Sequence, residues 1–304
     1  MKRIALLSLL LLFSCGNFSQ NKEGVKIVCA FADETSISIE EKNSTVETIK
    51  ERLSRFSDDY EVKLSENNQI VVEYYGEYNE SNLIQIITNE GKLDFWFCLK
   101  KDDVIPILAQ TQASFNENGD DDPLMQIESL KVSYVGIFDL AVKDTLKMNT
   151  FLNKVKIEES TAKELEGIKF LYGIPDESGN ITLYALETSG RQRALVNESH
   201  IVNAMQNYNY IGKPCVAIEM NEEGAQRWEL MTGRAYQEQR NIAITLNNVV
   251  FSAPGVSVGP IEGGRSEISG NFTLEEAQSI STVLKSKRSI PVLKLLEVKL
   301  IKRE

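Results

Sequence analysis

The stretch from Asn241 to Pro291 constrains the fold more than any other part of the chain. Ile242, Ile244 and Leu246 alternate with small or polar residues up to Asn247-Asn248, and Val249, Val250 and Phe251 follow. Asparagine accepts a left-handed backbone, so the pair predicts a tight turn between two strands. Ser252-Ala253-Pro254 ends the second strand, because proline has no amide to give a ladder and restricts the residue before it. Val256, Val258 and Ile261 resume an extended pattern that breaks at Gly263-Gly264. Thr273 and Glu276 then form a capping box ahead of Leu274, Ala277, Ile280 and Leu284, which share one helical face. The alternating run from Val292 to Ile301 predicts a last strand, and the order strand, strand, helix, strand describes part of an open α+β layer.

Upstream, Val25 to Phe31 reads as a strand. Ser44 and Glu47 read as a capping box for a helix whose Val46, Ile49, Leu53 and Phe56 share a face. Tyr60–Leu64 and Gln69–Tyr75 read as strands about Asn67-Asn68, a helix starts near Asn79 and stops at Gly91, and Leu93–Leu99 is the next strand. Strand, helix, strand, strand, helix, strand is the ferredoxin-like order, a split βαβ repeat. Residues 100–240 read as an insertion with helices over 102–113, 141–152, 199–208 and 222–231 and strands over 170–172, 181–186 and 215–220. The predicted fold is therefore α+β: a ferredoxin-like split base sheet over 25–99 and 241–304, with helices on one face, and an inserted α+β head over 100–240.

The strings Ser252-Ala253-Pro254, Ile261-Glu262-Gly263-Gly264, Ile268 to Thr273 with Gly270 and Phe272, and Glu275-Glu276-Ala277 resemble the first periplasmic domain of SecD. Gly212-Lys213-Pro214, Glu222 to Ala225, Trp228 and Met231-Thr232 are similar to the segment that precedes the hairpin in that family. Tyr134-Val135-Gly136 and Val142 to Thr145 are similar to the SecD half of fused SecD-SecF proteins. The resemblance implies a base and a mobile, substrate-facing head, and an accessory role in protein export. The chain departs from the pattern at Asn247-Asn248, where the family usually carries Asp-Gly or Asp-Asp, and at Lys287-Arg288-Ser289, where it carries a glycine. Lys294, Glu297, Lys299, Lys302 and Arg303 stand where the family's next transmembrane helix is expected.

Lys2-Arg3, the apolar run Ile4–Phe13 and Leu12-Phe13-Ser14-Cys15 resemble a bacterial lipoprotein signal, so residues 1–15 are expected to be processed, with Cys15 acylated and residues 16–24 a tether. An apolar run of ten is too short for a stable span. The expected location is thus the cell envelope, anchored by lipid, facing the periplasm or the outer surface. With 33 basic against 44 acidic residues, the chain is a poor nucleic-acid partner, since that affinity comes mainly from neutralised phosphates.

Catalytic chemistry finds little support. His200 is the single histidine and reads as a surface or capping residue. Gly263-Gly264-Arg265-Ser266 lacks the lysine and spaced glycines of a phosphate loop, and Asp120-Asp121-Asp122 lacks calcium-loop spacing. Cys29, Cys98 and Cys215 form neither a metal set nor a disulfide framework, although a single bridge stays open. No metal, cofactor or enzymatic activity is expected. What remains are apolar and amide-rich surfaces: Tyr208, Tyr210 and Trp228 on the head, with Phe251 and Ser252 on the base, are the candidates for a groove that holds extended polypeptide. Two readings follow, a SecD-like module that binds exported or unfolded polypeptides or Sec translocase components, and an envelope lipoprotein that reuses the fold for an unrelated protein partner.

Overall fold

The computed structural model describes residues 23–118, 121–157 and 167–303; the leader, Cys15 and most of the expected tether lie outside them. The elements run β1 (Glu23–Phe31), α1 (Ile39–Leu53), β2 (Tyr60–Leu64), β3 (Ile70–Tyr75), α2 (Glu80–Thr88), β4 (Leu93–Cys98), α3 (Lys101–Asn118), β5 (Lys131–Val132), β6 (Phe138–Ala141), α4 (Thr145–Ile157), β7 (Ile168–Tyr172) and β8 (Asn180–Glu187). They continue with β9 (Val196–Asn197), β10 (Ile201–Tyr208), β11 (Pro214–Met220), α5 (Glu222–Glu238), β12 (Ile242–Leu246), β13 (Val249–Ser252), β14 (Arg265–Ser269), α6 (Leu274–Lys285) and β15 (Leu293–Lys302). The class is α+β, as the sequence predicts.

A four-stranded antiparallel sheet has the order β15-β1-β3-β2. Alternate residues Val25, Ile27, Cys29, Ile70 and Val72 point to α1 and α2, whose Ile49, Leu53 and Ile87 complete the core. This is the ferredoxin-like sheet with one exchange. The strand expected to close it, β4, pairs elsewhere, and β15 takes the place beside β1 over the register Glu23–Lys302 to Phe31–Leu293. Burial explains the exchange. Five of the six residues of β4 are buried, so it needs neighbours on both edges and cover on both faces, whereas β15 carries Lys294, Glu297, Lys299 and Lys302 and suits an edge. Helix α1 also starts earlier than Ser44 predicts: Ser38 is the cap, its hydroxyl accepting from Glu41 N at 3.2 Å. The polar turn Glu40–Asn43 hides that start from any search for apolar periodicity.

β4 is central in a second sheet, between β12 on one edge and β8 and β9 on the other. That sheet runs β13-β12-β4-β8-β6-β5, with β7 also paired to β8. A bridge between Gly173, next after β7, and Val250 on β13 brings the two sides together. The strands therefore curl round Trp96, Cys98, Tyr184, Leu186, Ala243 and Val250. Outside this curl, α3 and α4 pack Leu108, Phe115, Met148 and Phe151 against Leu183 and Ala185 of β8.

The third sheet is β10-β11-β14, with Ala204, Val216, Ile218 and Ile268 turned towards Ala277, Ile280 and Leu284 of α6. The helix expected over 199–208 is in fact strand β10. Ile201, Ala204, Met205 and Tyr208 fall at spacings of 3, 4 and 7, which imitate a helical face, but a bulge at Val202 resets the strand and only Ile201 and Ala204 are buried. The hairpin β12–β13 and the cap of α6 form as predicted. Asn247 and Asn248 have φ of 52° and 62°, and Thr273 and Glu276 bond each other's amides at 3.1 and 2.9 Å.

Arg52 ties the four-stranded sheet's helices to α6. It is fully buried on α1, and its Nη1 donates to the carbonyls of Ile86 (3.0 Å) and Asn89 (2.7 Å) at the end of α2, while Nε donates to Ser286 Oγ (3.3 Å) after α6. Burial lowers this guanidinium to about 10, against the opposing charge of Glu51.

Candidate functional site

The five predicted polypeptide-binding residues separate into three environments. Tyr208 and Tyr210 sit at the tip of the β10–β11 hairpin, exposed by 55% and 98%. The tip is held by local bonds: Asn209 Oδ1 accepts from Ile211 N and Lys213 N, and Gly212 takes the left-handed position at φ 77°. Trp228 does not join them. It is 4% exposed on α5, edge-on to Phe95 with ring centroids 5.1 Å apart, and belongs to the core beneath β10 and β11. Phe251 and Ser252, half-buried on β13, stand apart again. Phe251 lies 5.4 Å from Phe272. Both rings line a cavity of about 400 Å³ shared with Leu246, Asn271, Glu276 and Ile280. Lys213 Nζ, at the base of the tyrosine hairpin, reaches Asn271 Oδ1 on the rim of this cavity at 3.4 Å.

The motif residues of the C-terminal third set the geometry of that rim. Ala253 packs against the curled sheet, and the Pro254 carbonyl accepts from Ile242 N at 3.0 Å, which closes the second strand as its proline predicts. Gly263 and Gly264 both have positive φ, at 80° and 63°. At Gly264 a side chain is also excluded by space, because a Cβ there would lie 2.6 Å from Ala225 Cβ. Its carbonyl accepts from Met220 N, so the loop lies down on the start of α5 and delivers β14 to β11. Gly270 leaves room for the Phe272 ring, 3.0 Å from where its Cβ would be, and Thr273 caps α6.

A second concavity escaped the sequence reading. Phe95, Phe97, Leu195, Leu230, Met231 and Arg234 line a groove of about 330 Å³ beside α5. Leu230 is 75% exposed, out of phase with the buried Trp228, Met231 and Ala235 of its own helix; that misplaced leucine was the signal available. The rim is charged. The guanidiniums of Arg234 and Arg240 lie 4.7 and 4.8 Å from the Phe97 ring, and both bond Glu187, at 3.1 and 2.5 Å. Burial works to raise the Glu187 carboxyl, but the hydrogen bonds from Arg240 and Arg234 outweigh it and hold the group below the usual carboxylate range. Next to the groove, Asp94 is 2% exposed and accepts from Arg193 Nε (3.1 Å) and Ala194 N (3.0 Å); burial still keeps its carboxyl above the ordinary value. Arg193 also bonds Glu198, so one guanidinium serves two buried carboxylates and fixes the loop between β8 and β9.

His200 has a structural place: its Nδ1 accepts from Asn197 N at 3.3 Å in the cap of a single 3-10 turn, and it is buried rather than on the surface. Cys29, Cys98 and Cys215 are buried free thiols, and burial pushes them up to about 11, 12 and 11, away from nucleophilic thiolates. Among the described residues no group of three His, Cys, Asp or Glu side chains is arranged to hold a metal, and no helix is long and apolar enough to cross a membrane.

Residues 176–288 match the family model described as SecDF, P1 head subdomain. That interval starts well inside the 100–240 expected for the head and runs on through the hairpin, β14 and α6. The chain is 36% identical over 151 residues to protein translocase subunit SecD of Rhodothermus marinus, covering 48% of this chain and 23% of the relative, and 28% identical over 195 residues to SecD of Acidaminococcus fermentans, covering 61% and 42%. The chain thus spans less than half the length of these relatives. Among solved structures, "Structure and function of a membrane component SecDF that enhances protein export" matches with a TM-score of 0.54 at 17% identity, over 90% of this chain and 99% of that one. "Crystal structure of SecDF in Super-membrane-facing form" matches with a TM-score of 0.55 at 18% identity, over 92% of this chain and 30% of that one. The fold, with its curled antiparallel sheets, is that of a SecDF periplasmic domain. Together these matches support a SecD-type periplasmic P1 domain, with the head-subdomain signature over residues 176–288.

Proposed function

We propose that this domain is a non-catalytic polypeptide-binding module of the export machinery, holding exported or unfolded chains at the cell envelope and meeting Sec translocase components there. The observation that carries the reading is the head-subdomain match over 176–288, because that interval contains the exposed tyrosine hairpin and the rim of the Phe251 cavity. Extended chains bind such surfaces through backbone hydrogen bonds and apolar pockets, so affinity is modest and only weakly sequence-selective. The net charge of −11 adds a long-range preference for cationic segments, and salt screens only that part. It also turns the domain away from nucleic acid. Cys15, once acylated, tethers the module to the membrane and keeps it facing the periplasm or the outer surface.

The test is fluorescence anisotropy with a permanently unfolded secretory protein and its folded counterpart, at low and high salt, joined to photocrosslinking in cells from Tyr210. Binding confined to the unfolded chain, with crosslinks to SecD, SecF or the translocon, supports the proposal. Equal binding of both forms, or none to either, favours an envelope lipoprotein that uses the same fold for an unrelated partner.

A further inference from the structure

Strand edges are where this fold differs from its own habit. A strand at the margin of a sheet presents unpaired amides and carbonyls, and proteins blunt such margins with charge, proline or brevity. Four marginal strands here follow that practice: β15 carries Lys294, Lys299 and Lys302, β2 carries Glu61 and Lys63, β14 carries Arg265 and Glu267, and β5 is two residues long with Lys131. Strand β10 does not. It is eight residues, Ile-Val-Asn-Ala-Met-Gln-Asn-Tyr, without a charge or a proline, and among the described residues β11 is its one strand partner. Val202, Met205 and Tyr208 along it are exposed by 44%, 47% and 55%. Its last turn is satisfied locally, with Gln206 Nε2 donating to the Asn207 carbonyl and Asn207 Oδ1 accepting from Tyr208 N, which leaves Val202 to Gln206 as the open length.

We infer that β10 is the strand-addition site, where an extended polypeptide segment of neutral or positive charge pairs along Val202–Gln206 and extends the sheet to four strands. This rests on the polypeptide-binding reading above and locates its contact. The chemistry selects the occupant: a row of unpaired backbone groups is complemented by another extended backbone. Charge then decides between a foreign segment and a second copy. Two copies of a chain with net charge −11 repel, whereas a neutral or basic segment meets no such barrier. Met205 and Val202 supply apolar contact beside the ladder, and Tyr208 and Tyr210 extend it at the hairpin tip.

The experiment is amide hydrogen exchange on the protein with and without reduced, S-alkylated pancreatic ribonuclease, a basic chain that cannot refold. The amides of Ala204 and Gln206, which alternate with those bonded to β11 and face the free edge, are expected to slow by about tenfold or more when the chain is bound, because pairing removes them from local opening. Met205→Lys, at an exposed position, should weaken binding about tenfold with an unchanged denaturation midpoint, whereas Leu230→Lys in the groove beside α5 should leave affinity as it was. Succinylating the ribonuclease to make it acidic should weaken binding. Binding without protection at β10, or loss of binding with Leu230→Lys and not Met205→Lys, overturns the site and leaves the polypeptide-binding reading standing. Absence of binding to either form of ribonuclease overturns both. Protection of β10 that grows with protein concentration in the absence of ribonuclease overturns the foreign-segment assignment in favour of a second copy.

Discussion

Asn247 Nδ2 donates to Asn89 Oδ1 at 3.0 Å, across 158 residues of sequence. Asn89 Oδ1 also accepts from Gly91 N, and Asn247 exchanges bonds with Lys92, its amide donating to the Lys92 carbonyl at 2.9 Å and its Oδ1 accepting from Lys92 N at 3.1 Å. The turn of the β12–β13 hairpin is thereby stitched to the connection between α2 and β4, where the four-stranded sheet gives way to the curled one. Asparagine in place of the family's aspartate supplies the donor that this contact needs. Asn247→Gly keeps the left-handed backbone and removes these side-chain bonds, and is expected to cost about 1–2 kcal/mol; Asn247→Ala should cost more, because it adds backbone strain. Chemical-denaturation midpoints of the two variants measure the difference, and equal midpoints would contradict the assignment.

Arg52 should resist conservative replacement. A lysine ammonium cannot reach the Ile86 and Asn89 carbonyls and Ser286 Oγ together, so Arg52→Lys leaves buried acceptors unpaired at a cost of about 2 kcal/mol. A melt indistinguishable from that of the parent would show that the guanidinium geometry is not needed.

The Glu187 cluster predicts a pH dependence. Its carboxyl is lowered in the folded state, so the stability it contributes is present above the ordinary glutamate value of about 4.3 and is lost as pH falls through the lowered one. The parent should be more stable than Glu187→Gln at neutral pH, and the gap should close as pH falls from the ordinary glutamate value through the lowered one. Urea titrations across pH 3–7 read this, and a constant gap would refute it.

Thr273→Ala removes the acceptor for Glu276 N and should cost about 1 kcal/mol in the denaturation midpoint. A midpoint that does not move would mean that the first turn of α6 is held by packing alone.

Cys15→Ser is expected to leave an unprocessed precursor without lipid. Metabolic labelling with a fatty-acid probe decides it: equal incorporation in parent and variant would rule out acylation at that cysteine.

What could be read from the sequence was what short-range chemistry decides. Asn247-Asn248 demanded positive φ and obtained it, and Thr273 with Glu276 could do little but cap a helix. The exchange of β4 for β15 was hidden because strand order along the chain is local, whereas pairing is not: a βαββαβ succession is written in residues 23–98, yet its fourth place is filled by residues 293–302. Strand β10 was hidden for another reason, its apolar residues falling by chance on a helical period. Trp228 illustrates the limit for sites, since an aromatic residue's type says nothing about whether its helix faces the core or water. Tyr210 was named on the same grounds as Trp228, and its exposure follows from the Asn209–Gly212 turn, which only the structure reveals.

The ladder between β1 and β15 has a mechanical consequence. Glu23 and Lys302 face each other at one end of it, so tension applied through the two ends of the domain pulls both strands apart from that same end. The rungs then carry the load one after another, as in a zipper, and not all at once, as they would if the strands were pulled along their length. Edge strand β15 should peel at low force, releasing the four-stranded sheet while the curled sheet and its bridge from Gly173 to Val250 hold. Optical-tweezer pulling from residues 23 and 302 should show a gradual, reversible extension before any abrupt step, and a single high-force rupture would be inconsistent with unzipping. Such a sheet acts as a compliant spring in series with a stiff body.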